Sequence, residues 1–174
     1  ISWSDNLLKG LNMIKKDYVM LFIEDLLFNK KVSNLYFDKI SYWINKNKPA
    51  YLRLHESSKF IKHDNLVNRI PDIIPYKTST MPCIWRKSTL LKLLKAGETA
   101  WDFEIKGSKR AYSKENFFSL NTNFVSYDNS VIKGKWQRVI AKNLNIKEEK
   151  RQIMTIIEQY IYYLKCFRSK IFKI

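Results

Sequence analysis

The sequence contains few of the residues that build disulfide frameworks and zinc sites. Its 174 residues include two cysteines and two histidines, which excludes a disulfide scaffold and argues against a metal site ligated by His and Cys. A bound metal would therefore be a hard cation held by carboxylate oxygens. A charge-free apolar run of the roughly 18 residues that a membrane span requires is also missing, and no signal peptide is recognisable. We expect a cytoplasmic protein with reduced thiols.

Acidic residues are scarce as well, with 16 Asp and Glu against 32 Lys and Arg, for a net charge of +16. Such a charge suits three classes of partner, which are nucleic acid, anionic lipid and phosphate-bearing substrates. Half of the excess lies in residues 133–174, which hold 11 Lys and Arg and 3 Glu. A basic segment of this kind is equally compatible with a solvated surface.

Glycine is rare, and its distribution is uneven. Three of the four glycines lie between residues 97 and 134, so the freedom of the backbone is concentrated there. A hydrophobic content of 45% with 14% aromatics excludes a disordered chain, and the length suits one sizeable domain.

Hydrophobic periodicity predicts an α/β fold. We expect residues 55–70 to be irregular and a basic amphipathic helix to run from Glu148 onward. The other predicted elements are helices over Leu7–Ile14, Val32–Asn45 and Trp85–Leu94, and strands over Tyr18–Ile23, Tyr51–Leu54, Tyr76–Thr80 and Asn123–Tyr127.

The run Tyr18–Ile23 is six apolar residues long and is followed directly by Glu24 and Asp25. A short, continuous apolar run is typical of a fully buried parallel strand. Ligand sites of open parallel sheets lie beyond the carboxyl ends of the strands. Glu24 and Asp25 are therefore candidate ligand-binding residues, although polar residues also simply terminate strands.

A second acidic cluster lies in Gly97–Glu104, where Glu98, Asp102 and Glu104 surround Trp101. Carboxylates this close repel one another when ionised, so one of them is expected to have a raised pKa and to accept a proton. The flat face of Trp101 suits stacking on a sugar ring or a base. The alternative is a polar loop with one buried aromatic side chain.

Three segments resemble one family. Asp17–Phe28 resembles the strand that carries the acidic metal-binding motif of glycosyltransferases with the A-type fold. Pro75–Ser108 resembles the acceptor-side segment of bacterial polysaccharide and lipopolysaccharide glycosyltransferases, in which an aromatic–Arg helix leads into a Gly-Glu-x-x-Trp-x-x-Glu loop and a Gly-Ser pair. Val131–Trp136 is similar to a Gly-Lys-Trp segment farther along the same proteins. Together the likeness covers about residues 1–140.

This resemblance implies an α/β, partial nucleotide-diphospho-sugar transferase fold. Residues 1–147 would be the glycosyltransferase-like domain, without its N-terminal nucleotide-binding strands, and residues 148–174 the C-terminal amphipathic helix. We therefore expect the chain to be the C-terminal part of such an enzyme. Where the family has Asp-x-Asp, this sequence has Glu24-Asp25-Leu26.

The implied activity is transfer of a sugar from a nucleotide-diphospho-sugar to a hydroxyl acceptor in bacterial surface polysaccharide synthesis. Asp25, with Glu24, would bind Mg²⁺ or Mn²⁺ at the diphosphate. Glu104 would be the general base, with Asp102 as the second candidate, and Trp101 would orient the acceptor.

Basic residues would then contact the phosphate oxygens of the substrate. Arg86, Lys109 and Arg110 are the first candidates, because a guanidinium group binds phosphate through a planar fork, and Lys135 is the fourth. Several of these roles have a structural alternative: a helix cap for Asp102, a core position for Trp101 and a solvated charge for Arg110.

The expected partners are a nucleotide-diphospho-sugar and a saccharide or lipid-linked acceptor, and no nucleic acid. The basic C-terminal helix would bring the enzyme to the anionic inner face of the cell membrane. Packing of this helix on the domain or on a second subunit is the alternative.

A metal-dependent nuclease or a basic nucleic-acid-binding domain is the competing function. Asp72 followed by Glu104-Ile105-Lys106 is similar to the Asp…Glu-x-Lys pattern of such nucleases, in which two acids hold a metal and a lysine positions the attacking water. A basic scaffold or membrane-adaptor domain is a third hypothesis.

Overall fold

The computed structural model describes residues 1–112, 116–147 and 151–171, with side chains described as far as residue 166. It shows a mixed α/β protein whose main sheet contains both parallel and antiparallel strands. Two units are formed, Ile1–Ile23 with Lys30–Ser126, and Glu24–Asn29 with Tyr127–Ile174.

The helices are α1 (Trp3–Met13), α2 (Asn34–Asn47), α3 (Lys87–Leu93), α4 (Ala100–Asp102), a π-helical turn (Phe103–Gly107), α5 (Ser108–Arg110), α6 (Arg138–Asn143) and α7 (Ile156–Ile171). The strands are β1 (Tyr18–Leu21), β2 (Leu26–Phe28), β3 (Tyr51–Arg53), β4 (Ile61–Lys62), β5 (Val67–Arg69), β6 (Cys83–Arg86), β7 (Phe117–Leu120), β8 (Tyr127–Asn129), β9 (Val131–Ile132) and β10 (Lys135–Trp136).

A six-stranded sheet in the order β1-β6-β3-β7-β5-β4 forms the centre of the first unit. β3 and β7 are parallel, and the other neighbours are antiparallel. Tyr51 pairs with both Trp85 and Phe117, so these three rings share one face. They pack there with Phe103 and with apolar residues of α1 and α3. The core therefore joins the sheet to the helical segment that carries the predicted acidic cluster.

Helix α2 covers the other face, where its Trp43 packs edge-on against Phe118 with ring centroids 5.1 Å apart. The predicted helix Val32–Asn45 is thus confirmed with shifted ends. Ser33 caps its N-terminus by accepting from Tyr36 N, and Lys48 ends it in the left-handed conformation with φ 49°. Helix α1 is confirmed too, and Ser2 and Asp5 form a capping box at its start.

Two predictions about the strands around this core were wrong. The run Tyr18–Ile23 is not a buried parallel strand, because β1 is the edge strand, runs antiparallel to β6 and leaves Met20 38% exposed. Trp85 does not begin a helix. It lies in β6 with Cys83, and both side chains are fully buried on the core face, as alternate residues of a strand are.

Three further segments differ from the sequence prediction. Residues 55–70 include β4 and β5. Tyr76–Thr80 forms no strand, because Tyr76 has a φ of 57° and the segment bonds to helical side chains instead. The strand expected over Asn123–Tyr127 lies at β8, where it pairs with β2.

The second unit contains two antiparallel pairs, β2 with β8 and β9 with β10. The β9–β10 hairpin turns at Lys133 and Gly134, with φ of 49° and 77°. Positive φ at both positions is the requirement of a type I′ turn. The division expected at residue 147 does not coincide with these units, because pairing with β8 brings Glu24–Asn29 into the second one.

The C-terminal helix begins at Ile156. Its predicted start at Glu148 lies outside the described residues, and Ile153 forms a bridge with Trp136 instead of belonging to the helix. Within the described residues, no helix combines the length and the apolarity that crossing a bilayer requires.

We predict opposite effects for two glycine-to-alanine changes. A Cβ at Gly107 would lie 3.0 Å from Phe103 Cδ2 and 3.0 Å from Thr78 Oγ1. Gly107→Ala should therefore destabilise the fold by about 1–3 kcal/mol through overpacking. Gly10 lies inside α1, and a Cβ added there would have no atom within 4 Å, so Gly10→Ala should stabilise by roughly 0.5–1 kcal/mol. Urea denaturation measures both, and equal effects would contradict the packing at Gly107.

Candidate active site

Glu104 lies in the π-helical turn between α4 and α5, a type of helix defect that often marks functional sites. Its Oε1 accepts three hydrogen bonds, from Thr80 N at 2.6 Å, Thr80 Oγ1 at 2.8 Å and Ser79 Oγ at 3.2 Å. In the part of the chain that the structure describes, Oε2 has no protein partner. The carboxylate is thus fixed in orientation with one oxygen left to interact with a ligand.

The donors to Glu104 belong to a buried polar segment, Lys77–Thr80. Thr78 anchors this segment to the helices, because its Oγ1 donates to Phe103 O and its N donates to Ser108 Oγ. Ser108 Oγ in turn donates to Glu104 O. The segment therefore holds the helical turn by side-chain and backbone bonds at three positions.

An exposed aromatic pair includes a residue of α4, the helix that leads into this turn. Trp101 is 64% exposed and Tyr76 is 42% exposed, and their rings meet edge to face with centroids 6.1 Å apart. Trp101 precedes Glu104 by three residues, a spacing that puts two helical side chains on one face. The alternative that Trp101 is a core residue does not fit its exposure.

Tyr51 and Arg53 complete the site from β3, and sequence reasoning missed both. The Tyr51 hydroxyl donates to Ser79 O at 3.1 Å, and Arg53 Nη2 donates to Tyr76 O at 2.6 Å. Burial raises the pKa of Tyr51, the positive charge of Arg53 opposes this rise, and the negative charge of Glu104 adds to it. The signal in the sequence that could have identified Arg53 is the presence of an arginine inside a short apolar strand.

Asp102 serves as a helix cap in this structure. Its Oδ2 accepts from Thr99 N at 3.2 Å and Thr99 Oγ1 at 2.7 Å, and its Oδ1 lies 2.7 Å from Lys106 Nζ. The Lys106 ammonium and the Thr99 donors lower the pKa of Asp102 to about 2. The expected rise in the pKa of a crowded carboxylate does not apply to Asp102, because each of its oxygens has a donor.

Arg110 and Glu98 form a bidentate ion pair, with N–O distances of 2.8 and 2.6 Å. Arg110 Nε also donates to Leu93 O at 2.9 Å, so the guanidinium is engaged on both edges by the protein. Lys109 beside it is exposed. Arg86, at the end of β6, donates from Nε to Tyr18 OH at 3.4 Å.

The other predicted site residues belong to the second unit. Arg151 lies 3.7 Å from Glu24 and 3.2 Å from Asp25, so one guanidinium neutralises both carboxylates. Lys135 pairs with Glu158 at 2.6 Å. Over the described ranges, no group of three or more His, Cys, Asp or Glu side chains is placed to hold a metal ion.

The residues of the nuclease-like pattern each have a different partner. Asp72 pairs with Lys77 at 3.6 Å and Arg69 at 3.7 Å, Lys106 pairs with Asp102, and Glu104 lies on a helical turn. In the described structure Lys106 is therefore engaged as the partner of a helix cap.

No protein-family model matches this chain, and neither a curated protein nor a solved structure shows significant similarity to it.

We predict that Arg110 stabilises the fold. Arg110→Ala would leave Glu98 buried without its counter-ion, and we expect a loss of about 3 kcal/mol in the free energy of unfolding. The neighbouring change Lys109→Ala, at an exposed position, should stay within about 0.5 kcal/mol of the parent protein. Chemical denaturation of both variants is the measurement, and a loss of equal size in both would refute the structural role.

Proposed function

We propose that the chain is part of a glycosyltransferase that moves a sugar from a nucleotide-diphospho-sugar to a hydroxyl acceptor, in the synthesis of a bacterial surface polysaccharide. The observation that carries the proposal is the fixed carboxylate of Glu104, whose Oε2 has no partner in the described part of the protein, together with the exposed Trp101–Tyr76 pair, in which Trp101 lies three residues before Glu104. The likeness of Pro75–Ser108 to the acceptor-side segment of such enzymes supports it.

In this proposal Glu104 is the general base. Oε2 accepts the proton of the acceptor hydroxyl while the acceptor oxygen bonds to the anomeric carbon of the donor sugar. The bond from that carbon to the diphosphate breaks, and its electron pair leaves with the diphosphate. The three donors to Oε1 hold the carboxylate in place before the substrate arrives, which favours reaction by positioning.

Trp101 and Tyr76 form the platform for the acceptor sugar. The apolar C–H face of a sugar packs well on an aromatic ring, and covering an exposed tryptophan removes apolar surface from water. The two rings differ by 69° in orientation, so they offer two walls of a shallow corner.

Glu24 and Asp25 are the proposed ligands of Mg²⁺ or Mn²⁺. Their oxygens suit these hard cations, which one or two carboxylates commonly share with substrate phosphates. The Arg151 guanidinium lies beside both carboxylates and neutralises them, so an ion bound there would have to displace it. Of the basic candidates, Arg86 and Lys109 remain available for phosphate, since Arg110 and Lys135 pair with Glu98 and Glu158.

We further propose that α7 rests on an anionic membrane surface. Six large apolar side chains of this helix are at least 46% exposed, and Lys165 is exposed beside them. Apolar and basic groups together on one surface helix are typical of interfacial binding. The six residues are Ile156, Ile157, Tyr160, Ile161, Tyr163 and Leu164.

The first test of this function is Glu104→Gln, which keeps the shape and the Oε1 acceptor but removes the base. We expect sugar transfer to fall about 10²–10⁴-fold, with the free energy of unfolding little changed. Release of nucleoside diphosphate from a panel of UDP- and GDP-sugars, with Mn²⁺ and oligosaccharide acceptors, is the measurement.

Asp102→Asn is the matched control, because it makes the same chemical change two residues away at the helix cap. Its effect should be on stability, with transfer by the folded protein preserved. Equal transfer by the parent protein and Glu104→Gln, or no transfer from any donor in the panel, would count against the proposal.

The membrane proposal is tested by two variants with the same change in charge. Ile157→Glu puts a carboxylate on the exposed face of α7, whereas Val139→Glu puts one on exposed α6. Cosedimentation with vesicles containing phosphatidylserine should fall by about tenfold for Ile157→Glu, from the lost burial of one large aliphatic side chain. Val139→Glu should bind nearly as the parent does.

Binding to vesicles should weaken as salt is added, because the basic residues act through screened electrostatics. Equal binding by both variants would refute a membrane-facing α7. A parent protein that is dimeric by light scattering, and monomeric after Ile157→Glu, would identify the helix as a subunit interface instead.

A further inference from the structure

A row of polar side chains crosses the core face of the main sheet. Arg53 in β3 pairs with Ser119 in β7, and Ser119 pairs with Asn68 in β5. Residues paired across neighbouring strands point to the same side of a sheet, so these three side chains lie next to one another. Arg53 and Ser119 are near the carboxyl ends of the two parallel strands, where ligand sites of α/β sheets occur.

The row is buried, yet several of its polar groups form no hydrogen bond within the described part of the protein. Ser119 is fully buried and its Oγ has no hydrogen-bond partner among the described residues. The side-chain amide of Asn68, 4% exposed, also makes no bond to the described part of the chain. A buried polar group without a hydrogen-bond partner costs free energy. Several such groups side by side therefore indicate a ligand that supplies the missing hydrogen bonds.

Arg53 adds an uncompensated positive charge to the row. It is 7% exposed and, among the described residues, bonds only to neutral oxygens, those of Tyr51 and Tyr76. Within the described ranges no carboxylate lies within 4.0 Å of its guanidinium, and Nη1 has no acceptor. Burying a charge without a counter-ion is unfavourable, which identifies an anion as the missing partner.

His55 lies next to this charge, two residues beyond Arg53. Its Nδ1 is 3.0 Å from Glu56 O, and its buried Nε2 has no partner in the described structure. Burial first, and then the charge of Arg53, lower the pKa of His55 to about 4. The ring is therefore neutral at pH 7, with Nε2 able to accept a proton when a bound anion offsets the charge of Arg53.

We propose that Arg53, His55, Ser119 and Asn68 bind a phosphate group carried by the acceptor sugar. A phosphate supplies several acceptor oxygens to the guanidinium, the hydroxyl and the amide, and a P–OH or a proton to Nε2.

The assignment to the acceptor rests on the proposed function. Arg53 Nε donates to the Tyr51 hydroxyl at 3.4 Å, that hydroxyl donates to Ser79 O, and Ser79 Oγ donates to Glu104 Oε1. The anion site and the proposed base thus flank one phenol within the first unit. We therefore assign the phosphate to the acceptor, which is the substrate that Glu104 deprotonates in the proposed function.

The test uses the two histidines, observed by NMR in the full 174-residue chain. Glucose 6-phosphate is the probe, with glucose and with sodium chloride of equal ionic strength as controls. We expect glucose 6-phosphate alone to shift the His55 ring signals and to raise the pKa of His55. His63 is the internal reference, because it packs against Trp43 and Phe118 on the opposite face of the sheet.

Ser119→Ala separates binding from folding. Because the hydroxyl has no partner among the described residues, its removal should leave the free energy of unfolding unchanged or slightly higher, while affinity for glucose 6-phosphate falls about tenfold. Ser4→Ala is the matched control: Ser4 is fully buried too, but its Oγ accepts from Glu98 N at 2.9 Å. This control should lose stability and keep its affinity. Arg53→Gln should abolish binding.

Three outcomes would overturn the proposal. They are unmoved His55 signals at millimolar glucose 6-phosphate, unchanged affinity in Ser119→Ala, and a stronger response to glucuronate than to glucose 6-phosphate. A stronger response to UDP would assign the site to the donor and refute the acceptor.

Glu104→Gln distinguishes this inference from the proposed function. It should still bind glucose 6-phosphate while it fails to transfer sugar. Binding at His55 without sugar transfer by the parent protein would refute the transferase and leave the phosphate site standing.

Discussion

The bonds between Lys77–Thr80 and the helical segment Ala100–Arg110 hold the candidate site together. This buried stretch has no strand partner in the described structure, so its polar groups must find acceptors and donors elsewhere. Thr78 and Thr80 find them on Phe103, Glu104 and Ser108. The same bonds that satisfy the loop also fix the carboxylate that presents an unpaired oxygen. Folding and site geometry therefore depend on a single set of contacts.

Two carboxylates of the acidic cluster stabilise the fold, and the third is the candidate functional group. Asp102 caps a helix and Glu98 is paired with Arg110, each with both oxygens engaged. Of the three, Glu104 alone presents an oxygen without a protein partner in the described structure. The three acidic residues are close in the sequence, but in the structure each carboxylate accepts hydrogen bonds from its own donors.

Local periodicity was enough to predict α1 and α2, whose caps at Ser2 and Ser33 are also local signals. It failed at Trp85, where a strand passes into a helix without a turn and both are apolar. The acidic cluster and the family resemblance pointed to Glu104 and Trp101 in the sequence, and their roles stay predictions. Nothing in the sequence analysis pointed to Arg53, Ser119 or Thr80, since their contacts arise from pairings between segments far apart in the chain.

The pairing of β2 with β8 has a consequence for the order of events during synthesis. Leu26–Phe28 leaves the ribosome roughly a hundred residues before Tyr127–Asn129, its only strand partner in the described structure. Until then its backbone donors and acceptors are an open edge that another nascent chain can occupy. Release of the chain before residue 127 would leave the backbone groups of Leu26–Phe28 without the strand that pairs with them in the described structure.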